Sequence, residues 1–261
     1  DVTLFSDRDR RALRDDVPPT GVAILFGASR EWDARIAPDR YGLANTTGIS
    51  VRLYSSEDGV RQRVLEFNPE FGYEAQAVDV RLRADDRIGE FLDLGGRLAA
   101  ESVNPDRLDQ IAADHDLVLV ATGKGGLSDL FEVDRERTHY DRPQRRLLQV
   151  TLAAEPGFDL TYRTRSDAAE NLFNLDAQNG EAWFGPFQHK DDGATWSFLG
   201  FAKPDGLWAE RFARVKDAQS ARDTFVDLYR DFFPEDAPEI EKLHVIDDPK
   251  SWLSGAVTPT V

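Results

Sequence analysis

The stretch DLVLVATGKGGLSDLF, residues 116–131, decides the fold prediction. Four aliphatic residues, 117–120, run directly into a cluster of glycines at 123–126. A short apolar run bounded by glycines is typical of a strand that is buried on both faces of a parallel sheet. Ligands bind beyond the carboxyl ends of such strands, where glycines let the backbone come close. The stretch therefore predicts a buried strand ending at a ligand, although an ordinary strand-to-loop turn fits the same residues.

The pair Gly123-Lys124 does not form a nucleotide-triphosphate loop. That loop requires a glycine five residues before the second glycine, and Val118 occupies the position. It also requires Ser or Thr after the lysine, where this sequence has Gly125. The sequence thus excludes this class of phosphate site.

Residues 116–131, continued by Tyr-Asp-Arg-Pro-Gln-Arg at 140–145, resemble the flavin-dependent styrene monooxygenase (epoxidase component) family. In that family a strand ends in an A-T-G-K element beside FAD, and a P-Q-R element leads into the substrate domain. The resemblance implies an FAD hydroperoxide that transfers one oxygen atom to an apolar aromatic alkene, an indole or a sulfide. It also implies that a partner flavin reductase supplies the reduced flavin.

Composition narrows the classes of partner. The 261 residues include 32 Lys and Arg against 48 Asp and Glu, so the net charge is -16. Such a surface repels nucleic acid and anionic membranes. No apolar run approaches the roughly 20 residues that span a bilayer, and no secretion signal is visible. We therefore expect a cytoplasmic protein. The sequence does not decide whether the protein is a homodimer.

The order of predicted elements indicates two domains. Residues 1–142 alternate strands and helices, which predicts a parallel FAD-binding-type sheet of α/β class that lacks its first βα unit. Residues 143–261 carry short strands and hairpin turns, which predict an α+β substrate-binding domain with an antiparallel β-sheet and covering helices. The combination is typical of aromatic hydroxylases. The glycine-rich fingerprint that opens a dinucleotide-binding unit is not in the sequence.

Seven residues are predicted to contact FAD, mainly by the resemblance. Two follow the first strand, where the family places the adenosine half of FAD, and the others are assigned to the flavin side: Asp7, Arg8, Thr20, Gly21, Arg81, Thr122 and Gly123. Each has a plainer interpretation. Asp7 and Arg8 suit a surface ion pair, Thr20 and Gly21 an ordinary turn, and Arg81 an ion pair with Asp85 one helical turn later.

Aromatic residues concentrate after position 145, and four of them are predicted to bind an apolar substrate: Phe173, Trp183, Phe187 and Phe198. An aromatic-rich sheet makes a natural floor for such a ligand, although the same rings suit a hydrophobic core. No protein residue is predicted to be catalytic, because there is no cysteine and no G-x-S-x-G nucleophile motif. The four histidines lack metal-ligand spacing, so no metal is expected.

The leading functional interpretation is thus a two-component, FAD-dependent monooxygenase. Two alternatives stay open from the sequence. The chain could be a non-catalytic module of the same fold that binds an apolar ligand or a protein and has lost FAD. It could also be part of a single-component aromatic hydroxylase that oxidises NAD(P)H itself.

Overall fold

A computed structural model describes residues 1–19, 24–122, 127, 130–160 and 171–259. The elements in chain order are β1 (Thr3–Ser6), α1 (Arg10–Asp15), β2 (Ile24–Leu25), α2 (Gly27–Ile36), β3 (Asn45–Glu57), β4 (Val60–Phe67), β5 (Glu70–Ala77), α3 (Val80–Asp93), β6 (Arg97–Ala100), α4 (Pro105–Asp114), β7 (Arg146–Ala154), β8 (Asn171–Asp176), β9 (Gly180–His189), β10 (Gly193–Ala202), α5 (Leu207–Ala213), α6 (Ala218–Phe232), α7 (Ala237–Ile240), β11 (Leu243–Val245) and β12 (Trp252–Ala256).

The chain forms two compact units. The first unit comprises Asp1–Val17, Arg83–Asp141 and Pro259–Val261, and the second comprises Pro18–Leu82 and Arg142–Thr258. This grouping differs from the predicted division at 142/143, because residues 18–82 join the second half of the chain. The reason is strand pairing, since β3 lies beside β8 in one sheet. As functional domains, the ranges 1–142 and 143–261 stay a prediction.

The first unit contains a parallel pair of strands, as the sequence predicts. β1 pairs with β6 in the register Thr3↔Arg97 to Ser6↔Ala100. α3 ends at Asp93 and is followed by Gly95, whose φ of +88° is in the left-handed region that glycine adopts most readily. The Gly96 N–H donates to the Phe91 carbonyl at 2.9 Å, which satisfies a carbonyl left open at the helix end. The sequence of residues 77–94 predicts a helix capped by Gly95-Gly96, and this cap is observed.

The predicted buried strand at 116–121 is wrong. The structure assigns no strand to these residues, and Leu117 and Leu119 are 75% and 83% exposed. An apolar run is buried as a strand only when neighbouring elements pair with it and cover both faces. Among the described residues of this unit, only β1 and β6 form a sheet, and the run pairs with neither.

The second unit is built on a mixed sheet in the order β11-β7-β10-β9-β8-β3-β5-β2, with β12 also paired to β7 and β4 to β3. The predicted fold class is confirmed: β7, β10, β9 and β8 are antiparallel neighbours, as the hairpin pattern indicates. The β3–β8 pair is parallel, which makes the sheet mixed. The sequence also predicts a strand at residues 160–165, and beyond Leu160 that range lies outside the described residues.

One face of this sheet packs on helices. Alternate residues of β9 and β10, among them Phe184 and Phe198, join Phe225 of α6 in the hydrophobic core. The rings of Phe198 and Phe225 stack with centroids 4.2 Å apart. α6 begins at a capping box in which Asp217 and Ser220 exchange hydrogen bonds between side chain and backbone. The other face of the same strands is therefore turned away from these helices.

Candidate functional site

The face away from α6 carries a cavity of about 320 Å³. Because side chains alternate along a strand, Trp183, Leu199 and Phe201 lie on the face opposite Phe184 and Phe198. The register places Leu199 directly across from Trp183. The residues that line the cavity are Ile24, Phe26, Asn171, Glu181, Trp183, Gly185, Ser197, Leu199 and Phe201, together with Phe184 and Pro186, which alternate with Trp183 and Gly185 along β9. The wall is thus mainly apolar and aromatic, with a few polar groups, as in small-molecule sites.

Three polar side chains interrupt this apolar wall. Ser197 is only 3% exposed, and its Oγ has no hydrogen-bond partner within the described ranges. The Asn171 Nδ2 donates to Thr46 Oγ1 at 2.8 Å and to the Gly48 carbonyl at 3.0 Å. The carboxylate of Glu181 lies 3.8 Å from the guanidinium of Arg145. The cavity therefore offers hydrogen-bonding groups, while its carboxylate already has a cation beside it.

The four predicted substrate residues divide into two groups. Trp183 lines the cavity, and Phe173 stacks on Trp183 with ring centroids 3.5 Å apart. Phe187 and Phe198 are fully buried and do not line it. For Phe198 the alternative interpretation is the observed one, because its ring is part of the helix-covered core. As substrate contacts, all four stay a prediction.

Sequence reasoning missed Ser197, Leu199 and Phe201 as a group. The signal that could have found them is the period of two along β10, which puts these three residues on one face. The pairing with Trp183 depends on the register of the β9–β10 hairpin, which the sequence pattern alone left undefined.

Arg81 lies in a buried cluster of charged groups. Its guanidinium is 2.7 Å from Asp79 and 2.9 Å from Asp248, and its Nη2 is 3.1 Å from Nε2 of His189. Burial alone would raise the pKa of Asp248, but hydrogen bonds from the Lys250 N–H and His189, with the charge of Arg81, lower that pKa below its ordinary value. The alternative pairing of Arg81 with Asp85 is wrong, because Asp85 instead accepts a bond from Arg10 at 2.5 Å.

The other predicted FAD residues are exposed or outside the described ranges. Asp7 and Arg8 form an exposed ion pair at 3.0 Å, as their plainer interpretation expects. Thr122 is exposed, and Thr20, Gly21 and Gly123 are not among the described residues.

These positions bear on how well the chain fits FAD. A pyrophosphate site needs backbone or side-chain donors that are free to face the ligand. Arg81 already has two carboxylates within 3 Å, and Arg8 is paired with Asp7. The described residues among the seven therefore do not by themselves form a pyrophosphate site. Their contacts with FAD stay a prediction.

The described residues include neither a candidate metal site nor a membrane-spanning helix. No group of three or more His, Cys, Asp or Glu side chains there is arranged to hold a metal ion. None of the described helices combines the length and the apolar character that crossing a bilayer requires.

The chain is similar to known flavoproteins in sequence and in fold. Residues 123–238 match the family described as "Styrene monooxygenase A putative substrate binding domain". Styrene monooxygenase StyA of Pseudomonas fluorescens and StyA of a further Pseudomonas species are each 32% identical over 73 residues, which is 28% of this chain and 18% of theirs. The crystal structure of CmlS, a flavin-dependent halogenase, superimposes with a TM-score of 0.55 at 13% identity and covers 98% of this chain.

The matched segments cover less than half of each relative's length. The match with the curated relatives spans less than a fifth of their length, and the chain covers 45% of CmlS. At 13% identity, the likeness to CmlS is evidence for the fold alone. The match with the substrate-binding domain family, over residues 123–238, contains the elements β7 to α6. It includes Trp183 and Leu199, which line the cavity. The resemblance to the styrene monooxygenases is therefore confirmed through their substrate-binding domain, and the fold is similar to that of the flavin-dependent halogenase CmlS.

Proposed function

We propose that the complete protein is an FAD-dependent monooxygenase that oxidises a small aromatic compound, with reduced flavin supplied by a separate reductase. One observation carries the proposal. Trp183, Leu199 and Phe201 line the cavity, and all three lie within the stretch that matches a styrene monooxygenase substrate-binding domain. Bound FAD would supply the oxygen chemistry, which protein side chains do not provide. The absence of a predicted nucleophile or acid–base pair agrees with this division of labour.

In this proposal the chain binds and orients the substrate. The cavity volume of about 320 Å³ is at the small end of the range for ligand sites, which suits a single aromatic ring with a short substituent. Burial of apolar surface against Trp183, Leu199 and Phe201 favours binding by roughly 25 cal/mol per Å². The stacking of Phe173 on Trp183 fixes the indole ring, so that it presents a defined surface to the substrate.

The cofactor contacts belong to the same proposal. Asp7, Arg8 and Thr122 are proposed on the FAD side of the complete protein together with Thr20, Gly21, Arg81 and Gly123. Because the exposed ion pair of Arg8 with Asp7 contributes less than about 1 kcal/mol, a phosphate can displace its carboxylate at little cost. Arg81 would instead act with Asp79 and Asp248 as a unit, since separating a buried guanidinium from its carboxylates is expensive.

The test is oxygenation of an aromatic alkene by the complete protein. We expect the purified protein to bind FAD and, with a flavin reductase, NADH and ¹⁸O₂, to form an epoxide carrying one labelled oxygen atom. Product formation without the reductase would favour the single-component hydroxylase. If the purified protein binds no flavin, the remaining interpretation is the non-catalytic module.

A cavity-filling variant ties that activity to the site. Leu199→Trp places a large ring in the cavity, and we expect the KM for the alkene to rise about tenfold or more. Leu65→Trp is the matched control, because Leu65 is on β4, is 49% exposed and does not line the cavity. Equal kinetics for the two variants would show that the substrate binds elsewhere.

A further inference from the structure

We infer that this cavity takes a neutral aromatic compound bearing a hydrogen-bonding group, such as a carboxamide, rather than a plain hydrocarbon. The inference rests on the proposed function in that it names the substrate class of the same cavity. Its basis is a row of buried polar side chains on the sheet face that carries the cavity: Asn171, Ser197, Thr151 and Gln149.

Three members of this polar row have unsatisfied hydrogen-bonding atoms. Ser197 Oγ, Thr151 Oγ1 and both amide atoms of Gln149 are buried and have no hydrogen-bond partner in the described part of the chain. These residues are at most 3% exposed. A buried polar atom without a partner is destabilising because it has lost its hydrogen bonds to water, and native proteins rarely leave several together. Such a group of atoms is therefore what a hydrogen-bonding ligand would satisfy.

Asn171 and Ser197 of the polar row line the cavity, and the strand registers place Thr151 and Gln149 beside lining residues. Ser197 lines the cavity and lies opposite Thr151 on β7, and Gln149 lies opposite Leu199, which also lines it. Directly paired residues on one face have Cβ atoms about 4.5–5.5 Å apart. One small polar group in the cavity can thus reach the Ser197 hydroxyl, with Thr151 as its immediate neighbour.

Asn171 adds an acceptor on the other side of Ser197. A Cβ at Gly185 would be only 2.1 Å from Asn171 Oδ1, so the amide of Asn171 extends over Gly185 of β9. Gly185 is in turn directly opposite Ser197. Because the Asn171 Nδ2 donates to Thr46 and Gly48, its Oδ1 is the atom turned to the cavity side as an acceptor. An acceptor beside a hydroxyl that can donate matches a group with both functions, as a carboxamide has.

The charges near the cavity favour a neutral ligand. Glu181 is the ionisable residue of the cavity wall, so an anionic ligand would be repelled. Its carboxylate already has Arg145 at 3.8 Å, which weakens its attraction for a cationic ligand. The polar row itself carries no charge at all, because it consists of two amides and two hydroxyls.

The experiment compares two ligands of the same shape. Benzamide and α-methylstyrene both carry a planar, three-atom branch on a phenyl ring, and only benzamide can hydrogen-bond through it. Binding to the 261-residue chain is measured by ligand-observed NMR titration. By transfer from water alone, α-methylstyrene would bind more tightly, since it is the more apolar of the two. We expect benzamide to bind at least as tightly.

Variants of two buried serines make the comparison specific. Ser197→Ala is expected to weaken benzamide binding by about fivefold to tenfold and to change α-methylstyrene binding by less than about twofold. Ser50→Ala is the matched control: Ser50 Oγ is also buried and unpartnered among the described residues, but it does not line the cavity. We expect it to change neither affinity. Thermal unfolding of both variants verifies that they fold.

Four results would overturn the inference: tighter binding of α-methylstyrene than of benzamide, equal benzamide affinity in the Ser197→Ala and wild-type chains, the same loss of benzamide affinity in both serine variants, or no binding of either ligand. Displacement of benzamide by riboflavin would also overturn it, because the polar row would then serve the flavin ring. None of these results decides whether the complete protein binds FAD and oxygenates a substrate, which is measured separately. Each failure is thus distinguishable from failure of the proposed function.

Discussion

Replacement of Gly185 by alanine tests how the polar wall of the cavity is built. The new Cβ would lie 2.1 Å from Asn171 Oδ1 and 3.1 Å from its Cγ, so the Asn171 amide must rotate away. Rotation breaks its hydrogen bonds to Thr46 Oγ1 and to the Gly48 carbonyl, at about 1 kcal/mol each. Overpacking adds about 1–2 kcal/mol. We expect the free energy of unfolding to fall by about 3–4 kcal/mol.

The assay is urea unfolding followed by tryptophan fluorescence, with Gly255→Ala as the control. Gly255 lies in β12 of the same sheet, and no atom of the described residues, apart from Gly255 and its two chain neighbours, lies within 4 Å of the position that its Cβ would take. Alanine there loses less chain entropy on folding than glycine, so we expect no loss and a gain of up to about 1 kcal/mol. Both variants replace glycine with alanine. We expect the free energy of unfolding to fall for Gly185→Ala and to stay the same or rise for Gly255→Ala.

A double variant separates the clash from other effects. If the Asn171 amide is the obstacle, Gly185→Ala should cost much less in an Asn171→Ala background, with a coupling of about 2–3 kcal/mol. Two results would refute the reasoning: Gly185→Ala no less stable than Gly255→Ala, or the same cost of Gly185→Ala with and without the Asn171 side chain.

Two further predictions concern buried charges. Asp236→Ala removes a carboxylate 2.7 Å from the guanidinium of Arg52, which is 2% exposed, and we expect a loss of about 3–5 kcal/mol in urea unfolding. Asp205→Ala breaks an ion pair with Arg142 in which the side chains are 64% exposed for Arg142 and 77% exposed for Asp205, so it should cost less than about 1 kcal/mol. A similar loss of stability in both variants would contradict the argument. The lowered pKa of Asp248 means that the folded state favours its ionised form, despite the burial that opposes it. Its stabilising contribution is present above the ordinary aspartate pKa of about 3.9 and is lost as the pH falls through the lower folded value. Unfolding between pH 3 and 7 should therefore show a shallower acid-side loss for Asp248→Asn than for wild type, and parallel curves would refute this.

The sequence predicts a hairpin at residues 48–67 and a helix at residues 220–233, and local patterns are sufficient for both. The hairpin of β3 and β4 follows from alternating residues around Asp58-Gly59, and both turn residues have the positive φ that such turns require. The helix α6 follows from apolar residues at helical spacing that end before Pro234. In each case the neighbours that decide the structure lie within a few residues along the chain.

The failures came where distant residues decide. The run at 117–120 is as apolar as a buried strand, but burial needs neighbouring strands that no local pattern reports. The parallel pairing of β3 with β8 joins residues more than a hundred positions apart, and it moved residues 18–82 into the second unit. The Arg81–Asp85 interpretation failed likewise, because Asp248 is a neighbour that helical spacing does not show.

The candidate site shows the same limit at the level of single side chains. Phe198 and Leu199 are adjacent in sequence, yet Phe198 stacks on Phe225 in the core and Leu199 lines the cavity. Side chains alternate between the two faces of a strand. The number of aromatic residues in β9 and β10 therefore indicates how much apolar surface these strands carry, but not which of the two faces is covered by helices. The helices decide that, since α6 covers the face of Phe198 and leaves Trp183, Ser197 and Leu199 to the cavity. It follows that small buried polar residues on the uncovered face, and not the total number of rings, carry the information about the ligand.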